Sequence, residues 1–396
     1  MITINIEKNS RLEDVDLYLT QLENARKFDV GANVMLPKML NYGHFGIVPA
    51  LIQFIITWLR YEKAERLLID IEDTSEDSLS ELFKNELIFP VVVLNWNRVG
   101  VFSKNGINLK MPLRELTKLY GDRMLNGRTI PGNKLLLTEF DHLPDDRLLP
   151  CFGNRYEFIE TKTQLRNSIE KGIREVFYMH SELPRAFDHE KDPFVAIIYE
   201  LMKNTFEWGR HDKFHVRLEP NIRGTLVKFI KKKRSTLIEE YKLHKGMKDF
   251  FSSKKLKENS NNELYFMEMS VFDGGIGFAA KYRSLNEVGH EMDEIDIIKR
   301  CLTKHATSDH GMYKEEKGLG LDEILKILDG RGLIRIKTGH SCVYRNMISH
   351  GYKELAESKN IILYDWRNNT NDKFTEFKPI EGTVVTIVYP IAYTEF

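Results

Sequence analysis

Cysteine is scarce in this chain of 396 residues: only Cys151, Cys301 and Cys342 are present, and they stand far apart. That spacing excludes a disulfide framework, and without paired Cys or Cys/His positions it excludes a zinc site too. A reducing, cytoplasmic compartment is the expectation. Net charge is also missing, since Lys+Arg and Asp+Glu stand at 58 each. The chain as a whole has no pull toward a polyanion or an anionic membrane, so nucleic acid is disfavoured as a partner. The longest nearly apolar run, Gly46 to Trp58, is too short to cross a bilayer, and Met1 to Glu7 lacks the basic lead into an apolar core that marks a signal peptide. No membrane association is expected. The histidines, among them His180, His189, His211, His215, His305, His310 and His340, show no ligand spacing, which excludes a recognisable transition-metal site. No internal repeat appears.

What is present is 42% hydrophobic residues, enough to bury cores in two domains. Val34 to Asp70 reads as an apolar strand, a Gly/His turn, a helix from about Val48 to Arg66, and the strand Leu67-Leu68-Ile69-Asp70-Ile71, a βαβ pattern. An acidic amphipathic stretch, Glu76 to Glu86, precedes the apolar run Phe89 to Leu94, which reads as the next strand. Residues 1–160 are therefore expected to form an N-terminal α/β domain of unknown role. Leu143 to Asn154 mixes Pro, Asp, Gly and Asn and marks a boundary near 160. Leu165, Ile169, Ile173 and Val176 then give helical spacing, so 161–185 reads as a connecting helix whose apolar stripe is for packing.

Chemistry concentrates further on. Phe194 to Trp208 has helical apolar spacing that puts Glu200, Asn204 and Glu207 along one face. A carboxylate there can take a proton from an attacking water, and an Asn carbonyl is a hard oxygen ligand suited to Mg²⁺ beside phosphates. The spacing alone carries little weight, because Glu-x-x-x-Asn arises about once by chance in a chain this long. Next comes a β-patterned run, Tyr265 to Phe272, ending in Asp273-Gly274-Gly275-Ile276-Gly277. A strand thus delivers an acid into a glycine turn, where the acid can accept an exocyclic amine and the backbone can approach a ligand closely. A calcium loop would need several more acids. Lys317-Gly318-Leu319-Gly320-Leu321 then opens a helix through Leu328, and N–H groups at such a terminus form an anion site. Last, Glu381 to Pro390 is a strand whose Thr383 hydroxyl is expected to bond the acid of the glycine turn.

Taken in order, the helix with Glu200 and Asn204, the glycine box after a strand, the Gly-Leu-Gly-Leu box before a helix and the closing Gly-Thr strand resemble the Bergerat (GHKL) ATPase family of gyrase, mismatch-repair, chaperone and histidine-kinase ATPases. The resemblance covers about residues 186–396. It implies an α+β fold whose C-terminal part is a sandwich of a mixed, mostly antiparallel sheet under helices, with insertions at about 228–262 and 341–380. By that resemblance Glu200 is the catalytic base and Asn204 the Mg²⁺ ligand. Asp273 accepts from adenine, while Gly275, Gly277, Gly318 and Gly320, with Glu207, Lys317 and Leu319, belong to the nucleotide-binding set. Thr383 matches the base-side threonine, and Lys304 to Ser308 looks like a degenerate lid segment. No Walker-type phosphate loop competes for the nucleotide.

The implied function is Mg-dependent ATP binding and hydrolysis that drives a conformational or dimerisation switch. The resemblance allows a homodimer and an unidentified protein partner. An ATP-dependent protein kinase of anti-sigma or histidine-kinase type is the alternative. His189-Glu190 superficially matches a phosphoacceptor start, but it stands fifteen residues before Asn204 and leaves no room for a helical hairpin. A third reading is a protein- or nucleic-acid-binding module that uses the basic run Lys231-Lys232-Lys233-Arg234. The acids Glu239, Glu240, Asp249 and Glu258 beside it point instead to solvated faces.

Overall fold

The computed structural model describes the chain except residues 42–43, 133, 145–146, 179–183, 287–290, 304–319, 355–357 and 392–396, and the side chains of 178 and 184–187. The N-terminal part is a four-stranded parallel sheet in the order β1 (Ile2–Asn5), β2 (Ala32–Pro37), β3 (Ala64–Asp70), β4 (Val101–Ser103). Helices α1 (Leu12–Lys27), α2 (Ile47–Leu59), α3 (Glu76–Leu82) and α4 (Ile88–Asn95) connect these strands. In α1, Val15, Tyr18, Leu19, Leu22 and Ala25 repeat at helical spacing and form the buried stripe. Acids in its first turn and Arg26 and Lys27 in its last suit the helix dipole.

The run Phe89 to Leu94, expected as a strand, lies in the helix α4 instead. A short run that is apolar at every position has no periodicity to separate strand from helix, and burial on several sides satisfies either. Helix α2 is likewise buried at every position from Ile47 to Trp58, which requires neighbours on both sides. On one side the Trp58 indole N–H donates to the Ala32 carbonyl of β2 at 2.9 Å. On the other α2 packs on the second sheet. Full burial of each such Ile, Leu or Phe contributes about 1.5–3 kcal/mol, so this helix is the main cement between the layers.

The second sheet has seven strands in the order β10-β9-β8-β11-β7-β6-β5, and every pairing is antiparallel. The strands are β5 (Lys134–Phe140), β6 (Ile222–Lys233), β7 (Glu263–Asp273), β8 (Leu333–Gly339), β9 (Ser341–Asn346), β10 (Tyr364–Asp365) and β11 (Ile380–Pro390). The expected mixed sheet is thus wholly antiparallel among the described residues. Strand β5 precedes residue 160 yet pairs with β6, from Lys134↔Lys228 to Phe140↔Ile222, so the larger sheet begins upstream of the expected boundary. Between β4 and β5 lies α5 (Arg114–Leu125). Helices α6 (Lys162–Tyr178) and α7 (Pro184–Trp208) pack on each other and on the sheet, so α6 belongs to the helical layer and is more than a connector.

Strand periodicity sorts the two faces. Phe194 of α7 meets Tyr389 of β11 edge-on at 5.0 Å, and Met267, Met269, Val271 and Asp273 of β7 share that side. Glu268 and Ser270 point the other way, where the Gly46 N–H at the start of α2 donates to the Glu268 carboxylate at 2.9 Å. Gly46 has φ +74°, and a Cβ there would collide with Arg335 and Thr386 side chains. The expected insertion at 228–262 is the end of β6 followed by α8 (Arg234–Glu240) and α9 (Lys245–Phe251), which build a small aromatic core with Phe45, Phe266 and Tyr344. The stretch 341–380 supplies β9 and the edge strand β10. Helices α10 (Phe278–Leu285), α11 (Glu294–Cys301) and α12 (Gly320–Ile327) complete the described fold.

Candidate functional site

Helix α7 is the spine of the site. Its buried positions Ile197, Ile198, Leu201, Met202 and Thr205 face the sheet, which leaves Glu200, Asn204 and Glu207 on the opposite stripe, all half-buried. Two glycine contacts fix what lies against each end of that stripe. A Cβ built on Gly320, the first residue of α12, would sit 2.8 Å from Glu200 Oε2. A Cβ built on Gly209, just past the end of α7, would sit 2.8 Å from Asp273 Cβ, and one on Gly275 would sit 2.8 Å from Gly209 Cα. The glycine turn after β7 therefore presses on one end of α7, and the start of α12 presses on its middle. Nine residues of helix separate Glu200 from Gly209, about 13 Å, with Asn204 between them.

At the sheet end, Asp273 pairs in register with Thr383 of β11 and Arg223 of β6. The Gly275 N–H donates to Asp273 Oδ1 at 2.8 Å. Asp273 as a residue is only half-buried, but its carboxyl group sits beneath Gly209 and Gly275. Burial pushes its pKa up to about 6, against the N–H bonds from Gly275 and Thr383 that favour the ionised form. The Thr383 hydroxyl bonds the Thr338 hydroxyl at 3.1 Å, so it reaches Asp273 through its backbone and its hydroxyl serves β8. Thr338 in turn accepts the Phe278 N–H at 3.0 Å and donates to the Gly382 carbonyl at 3.3 Å, bracing the end of the glycine turn. Gly277 adopts φ +81°, and a Cβ there would lie 2.7 Å from the Thr338 hydroxyl. Behind Asp273, the buried Arg223 guanidinium donates to Asp141 at 2.9 Å and pairs with Glu139 at 3.1 Å. This fixes a charged cluster under the site.

The other end has a cation that carries no sequence motif. Lys162, at the start of α6, lies 2.9 Å from Glu200 Oε1 and 2.8 Å from Glu323 Oε1 of α12. Burial pulls the Lys162 ammonium down, but its bonds to Glu323 and Glu200 outweigh this and hold its pKa above the ordinary lysine value. Lys162 was invisible in the sequence because its partners are 38 and 161 residues away by numbering, at Glu200 and Glu323. Gly209 had a weak signal, a glycine directly after a helix.

The structure thus brings together Glu200, Asn204, Glu207, Asp273, Gly275, Gly277, Gly320 and Thr383 around α7. Lys317, Gly318, Leu319 and the segment Lys304 to Ser308 lie outside the described residues. The basic run is set apart from this site and largely neutralised: Lys231 pairs with Glu263 at 3.2 Å, Lys232 with Glu240 at 2.7 Å and Arg234 with Glu258 at 3.0 Å. Among the described residues no cluster of three or more His, Cys, Asp or Glu could hold a metal ion, and no helix is long and apolar enough to cross a membrane. No family model, no curated protein and no solved structure matches the chain.

Proposed function

We propose that the chain binds Mg-ATP along α7 in the Bergerat manner and hydrolyses it, coupling turnover to a change of conformation or of dimerisation. The observation that supports this best is the pair of glycine contacts at the two ends of one helix face, Gly275 with Gly209 beside Asp273, and Gly320 beside Glu200. An acid for the base and an acid for the γ-phosphate end are thereby separated by about the length of a nucleoside triphosphate.

In this reading Asp273 accepts the exocyclic amine of adenine, and the Cβ-free backbone of Gly275 and Gly277 lets the base approach. The N-terminus of α12 at Gly320 directs N–H groups toward the terminal phosphates. Asn204, one helical turn from Glu200, is a hard oxygen donor that would hold Mg²⁺ beside the phosphates. An ion held there would supply charge that offsets that of the phosphates. Glu200 accepts a proton from the attacking water as its oxygen bonds to the γ-phosphorus. The bond from the γ-phosphorus to the bridging oxygen breaks, and ADP leaves with the electron pair. Lys162 holds Glu200 in place and is a positioning residue. The N-terminal α/β layer, cemented by α2, is the natural recipient of any movement of the sheet.

The test is phosphate release from Mg-ATP by the purified chain beside Glu200→Ala. Loss of a general base should lower turnover at least ~100-fold while nucleotide still binds. Equal turnover in the two proteins would refute the assignment of Glu200. Label retained on protein from γ-labelled ATP would instead favour phosphotransfer.

A further inference from the structure

On the face of the sheet opposite Asp273, between β8, α1 and α2, lies a cavity of about 40 Å³. Four of the side chains lining it are more than nine-tenths buried and bring a polar atom with no hydrogen-bond partner among the described residues: Lys337 Nζ, Arg335 Nε, Trp366 Nε1 and Gln53 Oε1. Leaving one buried polar group unpaired costs about 1–3 kcal/mol, so four around one cavity are far too many to be incidental. Three are donors, two of them on cationic side chains, and one is an acceptor.

The cations are held in place by other contacts. The Arg335 terminal nitrogens donate to the carbonyls of Phe45 and Gly46 and to the Thr386 hydroxyl, leaving Nε. Its guanidinium lies 5.0 Å from the centre of the Trp366 ring, and the Lys337 ammonium lies 4.6 Å from that of Phe377. The nearby carboxylates do not compensate them. Asp16 is taken by Arg367 at 2.7 Å and by the Lys378 N–H at 3.1 Å, and Glu13 is exposed at the rim. Burial accordingly pulls the Lys337 pKa below the ordinary lysine value, the direction expected of an ammonium lacking a counter-ion.

We propose that this cavity is a binding site for a small oxyanion carrying one O–H, of the size of hydrogen phosphate or a 2-hydroxycarboxylate. The negative oxygens take the Lys337, Arg335 and Trp366 donors, and the hydroxyl donates to Gln53 Oε1. The size fits: at ~10–15 Å³ per water the cavity has room for about three, hence for a ligand of a few heavy atoms. The ligand would touch both layers at once, Gln53 from α2 and Lys337 from β8. The next residue of β8, Thr338, braces the glycine turn from the other face, so occupancy would reach the candidate site through one strand. The site is built without reference to nucleotide, and it stands or falls separately from the ATP reading.

The test is thermal melting of the full chain in glycolate, hydrogen phosphate or acetate, each against sodium chloride of equal ionic strength. Glycolate or hydrogen phosphate at 100 times its Kd should raise Tm by about 3 °C. Which of the two acts identifies the source of the oxyanion, and acetate, lacking the hydroxyl, should act more weakly. Lys337→Met should abolish the shift while melting higher than wild type in chloride, because a buried unpaired charge is removed. Gln53→Leu should erase the preference for glycolate over acetate. If no anion raises the wild-type Tm above chloride, waters alone satisfy the cavity and the proposal fails. It fails equally if Lys337→Met keeps the full shift. Should Lys337→Met not fold, the wild-type comparison decides.

Discussion

Lys162 Nζ lies 2.9 Å from Glu200 Oε1 and 2.8 Å from Glu323 Oε1, so a single ammonium joins α6, α7 and α12 at the proposed phosphate end of the site. The Lys162 side chain is about one-third exposed, and a pair in that setting contributes at most about 1 kcal/mol to stability. Its value lies in orientation. Lys162→Met is expected to lower kcat for ATP hydrolysis about 10- to 100-fold with the KM for ATP within about 3-fold, since a misplaced base affects the chemical step more than binding. Lys162→Arg should restore part of the rate. A Lys162→Met enzyme with normal kcat would remove the residue from the mechanism.

Gly382 of β11 lies against the end of β7 at Asp273. It has φ +74°, and a Cβ there would overlap the Asp273 carbonyl oxygen, a backbone atom that cannot step aside. Gly382→Ala is therefore expected to destabilise the chain by about 3 kcal/mol or more, from left-handed strain added to overpacking. A thermal or urea melt checks this, and a loss below about 1 kcal/mol would mean that the strand pairing at Asp273 is looser than described.

The pKa of about 6 at Asp273 gives the site a pH dependence. Only the ionised carboxylate accepts well from an amine, so ATP affinity should be full above about pH 7 and fall as pH drops through 6, up to tenfold per unit below it. For stability the sign is opposite. The folded state holds this proton more tightly than the unfolded chain does, so the contribution of Asp273 to stability declines as pH rises from about 4 to 6. Asp273→Asn should therefore weaken ATP binding, flatten its pH profile, and raise stability near pH 8 by about 1–3 kcal/mol. Calorimetric titrations and melts at pH 5.5 and 8 test both arms.

Much of the site was legible before the fold because each motif couples a residue type to a backbone requirement. Asp273 to Gly277 needs a strand and a turn with room for φ > 0, and the structure supplies both. Glu200 and Asn204 needed a helix, and α7 is one. What stayed hidden depends on contacts distant in sequence. Lys162 has no local signature, β5 looks like any apolar strand, and Phe89 to Leu94 is too uniformly apolar to reveal its period.

The place of β5 has a consequence for dissection of the chain. Residues 161–396 alone would lack β5 and the turn after it, and with them both Glu139 and Asp141, leaving the buried Arg223 without either carboxylate partner, and they would lack α2, uncovering part of one sheet face. Removing a partner from a buried ion pair costs about 3–5 kcal/mol before the lost apolar contacts are counted. That fragment is expected to aggregate or to show no cooperative melt, whereas the full chain melts cooperatively. A well-folded 161–396 fragment would overturn the view that α2 and β5 complete the larger sheet.

The most direct test of the central claim is the affinity of the full chain for ATP in Mg²⁺, measured by titration calorimetry beside GTP and beside the Asp273→Asn protein. Saturable ATP binding, weaker GTP binding because guanine presents a carbonyl where adenine presents its amine, and a loss of at least about tenfold in Asp273→Asn are the predicted results. Absence of ATP binding, or equal affinity for ATP in wild type and Asp273→Asn, would contradict the account.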